Sequence, residues 1–125
     1  MPGRRLKSEE LVRVHSEAVE ALHPYLKFLT ELPTMSRSER VVFCHAGVNP
    51  KKPMDAQSRR ALLWGHPHFL VDDPVPGMRI VHGHYAEDAV VSTSGRLGLD
   101  TGAYYSGVLT AARLDADETI FQTGN

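Results

Sequence analysis

The chain has 125 residues, of which 42% are hydrophobic and 23% are charged, and its formal net charge is −1. These values indicate a globular domain with a buried core, and they exclude a disordered chain and a strongly basic nucleic-acid-binding protein. The single cysteine, Cys44, excludes an intrachain disulfide framework and favours the reducing cytoplasm. The near-neutral charge gives no reason to expect a nucleic acid or an anionic membrane as a partner. No apolar run is long enough to span a bilayer.

Apolar residues at helical spacing predict that the chain begins with helices. Ser8 is expected to cap the first helix, and Pro24 either kinks this helix or starts a second one. Pro33 is expected to end the helical region. The predicted buried stripe of the first helix consists of Leu11, Val14, Ala18, Leu22 and Leu26.

The next part of the chain predicts two buried strands that flank a loop and a short helix. Residues 37–40 are polar and are expected to form a turn before a strand at 41–44, which is apolar throughout and therefore expected to be buried on both faces. Asp55 is expected to cap the short helix, and Trp64 near its end is expected to pack in the core. The second buried strand is expected at 79–81.

The sequence of the last third of the chain predicts several short antiparallel strands. Glycine-rich or aspartate-rich turns separate four strand candidates, at residues 89–92, 96–99, 107–114 and 118–121. The order of helix, strand, helix, strand and then several strands predicts a mixed α/β architecture, layered in the α+β manner.

Histidines follow both predicted buried strands. His45 comes directly after Cys44, and His82 and His84 flank Gly83 after the second strand. Residues two apart on a strand share a face, so His82 and His84 could share one ligand or line one cleft. Three histidines at strand ends favour a metal site over a nucleophilic one, because Cys44 lies in an apolar run where a thiol is usually inert. Further oxygen or nitrogen ligands would have to come from elsewhere.

Other polar residues carry weaker signals. His15 and His23 are expected on the surface of the first helical region. His66 and His68 flank a proline and are expected in a solvated turn. Asp100 ends an apolar strand and could line a cleft, although an aspartate before Thr-Gly is also ordinary turn chemistry, which is the safer interpretation.

Several motifs together resemble the calcineurin-like metallophosphoesterases, and in particular the bacterial serine/threonine protein phosphatases and their diadenosine tetraphosphatase relatives. The resemblance extends from about residue 25 to about residue 121. The motifs are, in order, His45-Ala46-Gly47-Val48, Leu62-Leu63-Trp64, Val81-His82-Gly83-His84, Leu99-Asp100-Thr101-Gly102-Ala103-Tyr104 and Gly107-Val108-Leu109-Thr110-Ala111.

This resemblance implies a fold, a reaction and a metal site. The family fold is a double β-sheet sandwich flanked by helices, with two divalent metal ions at the strand ends, manganese first and iron or zinc as alternatives. A metal-bound hydroxide hydrolyses the phosphate esters of phosphoproteins or of phosphorylated small molecules. The family pattern assigns His45 and His84 as ligands of the second ion, and it gives His82 a supporting role beside the ligands rather than a direct bond to the metal.

The chain also departs from the family pattern. The motifs D-x-H, G-D-x-x-D-R and G-N-H-[DE] are absent, and they carry the other metal ligands, the acid histidine and a phosphate-binding arginine. The chain therefore resembles the C-terminal half of the enzyme, a single partial domain over residues 1–125, and it is expected to be inactive alone. Tyr85 stands where the family usually has threonine, and Gly65-His66 where an arginine is common; His66 or His68 could meet phosphate when protonated.

Alternative functions stay open at this point. The first alternative is a dinucleoside polyphosphate hydrolase, because these enzymes share the motifs named above. The second is a degenerate module that binds a partner without catalysis. The third, ranked last, is an isolated zinc or iron site that serves another purpose.

Overall fold

The computed structural model describes residues 7–124. Contacts divide the chain into two compact units, Met1–Pro33 and Thr34–Asn125. In the described residues the first unit is helical, and the second contains the strands. The assignment of residues 1–125 to a single partial domain stays a prediction.

The first unit consists of two helices joined at a proline. Helix α1 spans Ser8–Leu22, a 3-10 turn spans His23–Tyr25, and helix α2 spans Leu26–Glu31. Pro24 lies in the 3-10 turn and therefore starts a second helix rather than kinking the first. Helix α2 ends because Leu32 adopts an extended backbone, the conformation that a residue before proline prefers.

Two details of the first unit differ from the sequence prediction. The N-cap of α1 is Lys7 and not Ser8, because Lys7 has an extended backbone and the helix begins at Ser8. The backbone N–H of Lys7 donates to the Glu10 carboxylate at 2.9 Å. The predicted buried stripe of α1 is exposed: Leu11, for example, is 53% exposed. Neither helix, nor any other in residues 7–124, has the length and apolar character needed to cross a membrane.

The second unit is built on a mixed five-stranded sheet in the order β1-β2-β3-β5-β4. The central strands β2, β3 and β5 are parallel, and the edge strands β1 and β4 are antiparallel to their neighbours. The strands are β1 Met35–Ser38, β2 Val41–Cys44, β3 Arg79–His82, β4 Val91–Ser92 and β5 Arg96–Gly98. Because β2 and β3 are parallel neighbours, their C-terminal ends lie at the same edge of the sheet.

Strand β1 was not predicted from the sequence. Residues 37–40 were expected to be a polar turn, but Arg37 and Ser38 pair with β2, and the turn is confined to Glu39 and Arg40. Glu39 has a φ of 50°, which a tight hairpin turn requires. The strand carries no β-branched residue and is mostly exposed, so pairing with β2 is what makes it a strand.

The two faces of the sheet have different environments. Val42 and Ile80 lie side by side on one face and are fully buried in the core together with Leu62 and Phe69. The opposite face carries Phe43, which is 38% exposed. The prediction that β2 is buried on both faces is therefore right for one face only.

The core face of the sheet is covered in part by helix α3, Arg59–Trp64. The Ser58 hydroxyl caps it by accepting from the backbone N–H of Ala61, so Asp55, which lies in a 3-10 turn at Met54–Ala56, is not the cap. Ala61 and Leu62 are buried. Trp64 is 72% exposed, and its prediction as a core residue is wrong.

The chain ends in a second, two-stranded antiparallel sheet. A short helix α4, Ala103–Ser106, precedes strands β6, Leu109–Leu114, and β7, Glu118–Thr123. Polar contacts join this hairpin to the rest of the unit. The Thr101 and Thr110 hydroxyls lie 2.7 Å apart, and Glu118 forms an ion pair with Arg79 at 2.6 Å. The predicted mixed α+β architecture is confirmed.

The Glu118 ion pair leads to a testable prediction about pH. Partial burial raises the pKa of Glu118, but the Ser92 hydroxyl and the Arg79 guanidinium outweigh it and hold the pKa below its ordinary value of 4.5. The stability that the pair contributes is present above that pH and is lost as the pH falls through the folded-state pKa. Because Glu118 is partly exposed, Glu118→Gln is expected to lower the unfolding free energy at pH 7 by only about 0.5–1 kcal/mol.

Urea denaturation at pH 7 and pH 3.5 measures this effect, which should be smaller at the lower pH. The matched control is Asp115→Asn, which removes the more exposed ion pair between Arg113 and Asp115. An effect of Glu118→Gln no larger than that of the control would contradict the role given to the pair.

Candidate metal centre

The structure brings His45 and His84 together at the C-terminal ends of β2 and β3. His84 Nδ1 lies 3.3 Å from His45 Nε2, and the two ring centroids are 5.1 Å apart in an edge-to-face arrangement. In the absence of a ligand, one nitrogen can donate a proton to the other. The same spacing also allows both nitrogens to point at a common third atom.

The backbone explains how these two side chains meet. Alternation along β2 turns His45 to the same face as Phe43, whereas alternation along β3 would turn His84 to the core face with Ile80 and His82. Strand β3 ends at His82, however, and His84 has a φ of 67°, in the left-handed region that only glycine adopts readily. This conformation breaks the alternation. The backbone N–H of Gly83 donates to the carbonyl of His45 at 2.8 Å and ties the two strand ends together.

His82 is buried, and it lines a cavity that His45 and His84 also line. It is 4% exposed, and its Nε2 lies 3.2 Å from Nη1 of the buried Arg96. A guanidinium can only donate, so Nε2 accepts, and Nδ1–H donates to the carbonyl of Gly83 at 2.9 Å. These bonds describe a neutral imidazole. Burial lowers the pKa of His82, and the nearby Arg96 charge lowers it further.

His82 is therefore connected to the histidine pair through the main chain. The carbonyl of Gly83 accepts from His82, while the N–H of Gly83 donates to His45. Residue spacing alone suggests that His82 and His84 share one ligand or line one cleft. A shared ligand does not fit, because both ring nitrogens of His82 already have partners, but the two residues do line one cavity. The supporting role given to His82 stays a prediction, and any support acts through the backbone on either side of Gly83.

A cavity of about 440 Å³ opens beside the histidine pair. It lies between the face of the sheet that carries Phe43 and the start of β6, so its walls are largely apolar. Asp100 also lines this cavity, and its Oδ1 accepts from the N–H of Gly102 at 3.0 Å. Both interpretations of the Asp100 segment, as a turn and as a cleft wall, thus describe the same residues.

The remaining candidates lie away from this pair or are chemically quiet. Burial raises the pKa of the Cys44 thiol to about 11, consistent with its prediction as an inert thiol. The rings of His66 and His68 lie 5.5 Å apart in the loop after α3. His15 and His23 are exposed, as predicted.

Residues 7–124 contain no group of three or more histidine, cysteine, aspartate or glutamate side chains placed to hold a metal ion. The histidine pair is therefore at most part of a metal centre within the described residues. Sequence reasoning also missed two residues near it. Nothing in the sequence marks Arg96, because the pattern of charges does not indicate a buried partner 14 positions away. Trp64 has the sequence context of an ordinary core residue.

Comparison with known proteins agrees with this fold. No protein-family model and no curated protein matches the chain. One solved structure, described as a "putative diadenosine tetraphosphatase", superposes with a TM-score of 0.63 over 86% of this chain at 20% sequence identity. The chain covers 62% of that protein's chain, which is less than two thirds of its length. The chain therefore shares the fold of that protein over most of its length, and the family that the motifs resemble stays a prediction.

Proposed function

We propose that this chain is the C-terminal part of a metal-dependent phosphoesterase of the serine/threonine protein phosphatase type. His45 and His84 bind one divalent ion of its active centre. The observation that carries the proposal is the approach of His45 Nε2 and His84 Nδ1 to 3.3 Å at neighbouring strand ends. The fold supports it, because sites at the carboxyl ends of parallel strands are common in layered α/β folds.

The donor pair has the geometry that one ion needs. Imidazole nitrogens bind zinc at about 2.0–2.1 Å, so two of them on one ion, at octahedral to tetrahedral angles, lie about 2.8–3.4 Å apart. The observed separation of 3.3 Å falls in this range. Two neutral imidazoles leave the positive charge of the ion uncompensated, so the centre needs carboxylates from outside the described residues.

The chain's own residues have separate tasks in this proposal. A pair of bound divalent ions would supply charge stabilisation for in-line displacement at phosphorus. Gly83 holds the backbone of His84 to that of His45 through its N–H. Phe43 and Val81 line the adjacent cavity with apolar surface. His82 is held neutral by Arg96 and is not available as a ligand through either ring nitrogen.

Hydrolysis of dinucleoside polyphosphates is the second candidate for this same centre. It is favoured by the solved structure described as a "putative diadenosine tetraphosphatase", whose fold this chain shares over 86% of its residues. Both candidates require a phosphate group at the histidine pair. They differ in the group that the phosphate carries.

Titration calorimetry with Mn²⁺ and Zn²⁺ tests the proposal directly. We expect one ion to bind with modest affinity, and His45→Ala or His84→Ala to weaken binding at least about tenfold, since each removes one of two ligands. The matched control is His68→Ala, an exposed histidine whose loss should leave the affinity unchanged. Metal binding that survives both substitutions would contradict the assignment.

Turnover of an aryl phosphate with added Mn²⁺ provides a second test. The chain alone is expected to show negligible activity, because the described residues do not complete the centre. Robust turnover that is lost in His84→Ala would show that the chain holds a complete site, and the assignment as part of an enzyme would then be wrong.

A further inference from the structure

Trp64 is a large apolar side chain that the fold leaves uncovered beside the candidate metal centre. It is the last residue of α3, whose buried residues Ala61 and Leu62 face the core. With 72% of its surface exposed, the indole cannot have both of its faces covered. It is also the only tryptophan of the chain.

The indole lies beside the strand end that carries His84. The indole and the His84 ring have centroids 6.4 Å apart and are nearly perpendicular, at 87°. Gly65, the residue after α3, has a φ of 85°, and the Tyr85 hydroxyl lies directly against this glycine. The Tyr85 ring in turn lies 5.1 Å from that of His84. Trp64 is therefore held next to the metal centre rather than on a remote surface.

We propose that Trp64 is an aromatic platform, a flat surface on which a planar ring of the substrate stacks while its phosphate occupies the metal centre. The proposal rests on the proposed function, in which His45 and His84 bind a metal. The ligand class is a phosphate that carries a planar ring, either a nucleotide or an aryl ester. An exposed indole face binds any π-system and adds affinity without hydrogen-bond readout.

The same geometry explains why stacking is a better account than general apolar contact. An aliphatic side chain would cover the end of α3 equally well and would expose less apolar surface to water. A tryptophan in this place offers a rigid ring that loses little side-chain entropy when a ligand binds, and it lies beside the proposed metal centre that would bind the phosphate. Stacking on such a ring strengthens binding roughly 5- to 100-fold relative to a ligand without a ring.

The fluorescence of the sole tryptophan reports on this contact in the chain as it exists. The chain is first saturated with Zn²⁺ and then titrated with three phosphate esters: AMP, phenyl phosphate and glycerol 2-phosphate. We expect AMP or phenyl phosphate to quench Trp64 saturably and to bind roughly 5- to 100-fold more tightly than glycerol 2-phosphate. Preference for AMP identifies nucleotides as the source of the ring, and preference for phenyl phosphate identifies aryl esters.

Substitutions separate stacking from apolar contact, with affinities measured by calorimetry. Trp64→Phe retains a ring and should keep most of the preference for ring-bearing esters, whereas Trp64→Leu should abolish it. The control is Phe121→Leu, which removes an exposed aromatic side chain of β7 and should change nothing. Circular dichroism checks that each variant folds.

The outcomes distinguish failure of this inference from failure of the proposed function. If Zn²⁺ binds through His84 but the three esters bind equally, the platform is wrong and the metal centre stands. Unchanged preference in Trp64→Leu has the same meaning. If Zn²⁺ does not bind at all, the proposed function and this inference are both overturned.

Discussion

Phe69→Ala is expected to lower the unfolding free energy by about 3–5 kcal/mol, the usual range for removal of a buried aromatic ring. Phe69 is fully buried and is the largest of the side chains with no exposed surface. Its ring contacts His82 edge-to-face, with centroids 4.8 Å apart, and it fills the space beside Gly47, where a Cβ would collide with it. The substitution therefore empties the space on which the loop after β2 rests. Urea denaturation followed by far-UV circular dichroism measures the loss.

The control for Phe69→Ala is Phe121→Ala. Phe121 is 51% exposed on β7, so its removal should change the unfolding free energy little. The free energy of unfolding of a domain is typically about 5–15 kcal/mol, so the loss expected for Phe69→Ala is a large fraction of it. A loss below about 1 kcal/mol would show that the second unit does not depend on this core.

Arg96→Met is expected to lower the unfolding free energy by about 1–3 kcal/mol, because it leaves Nε2 of the buried His82 without a donor. Arg96 is 8% exposed, and it donates from Nε to the carbonyl of Val71 at 3.2 Å and from Nη1 to His82 Nε2 at the same distance. Methionine keeps an apolar side chain at this position but supplies no donor, and it also removes the guanidinium that lies over the Phe69 ring, 6.0 Å from its centroid. Urea denaturation at pH 7.5 measures this loss.

The pH dependence of stability gives Arg96→Met a signature that a simple packing defect lacks. Burial and the Arg96 charge lower the pKa of His82 below its ordinary value of 6.5. The unfolded chain then binds a proton more readily, so the wild type loses stability as the pH falls from about 6.5 through the folded-state pKa. Without Arg96 the charge repulsion is absent and Nε2 can take the proton, so the variant should lose less stability on acidification.

Denaturation of both proteins at pH 7.5 and pH 5 tests this point, and the difference between them should shrink at the lower pH. Equal differences at the two pH values would mean that Arg96 does not interact with His82 as described. Arg79→Met offers a control, because Arg79 pairs with Glu118 and has no contact with His82 in the described hydrogen bonds.

The strands that the sequence predicts well are those whose residues alone demand burial. Val41–Cys44 and the Ile80-Val81 pair are apolar and β-prone, and both form central strands as predicted. Strand β1 could not be predicted, because its sequence Met-Ser-Arg-Ser has no such preference and depends on pairing with β2. The cap of α3 was misplaced for a similar reason. Asp55 and Ser58 are both good caps, and only the tertiary path of the chain selects the second.

The candidate site was predictable in its members but not in its geometry. Spacing along a strand pairs His82 with His84, whereas the motif resemblance pairs His45 with His84, and the structure places the latter two within 3.3 Å. The spacing argument fails because it assumes an extended backbone through His84, which the structure does not have. The exposure of Trp64 was likewise hidden, because an apolar triplet at the end of a helix has the same composition whichever face it shows.

The left-handed backbone at His84 places a residue with a side chain in a conformation that favours glycine. A residue with a side chain is less stable than glycine in this conformation by about 1–2 kcal/mol. The substitution His84→Gly would relieve this local cost, but it would also remove the ring contact with His45 and increase the conformational entropy of the unfolded chain. His84 therefore combines a backbone conformation that favours glycine with a side chain that lies against His45 in the candidate metal centre.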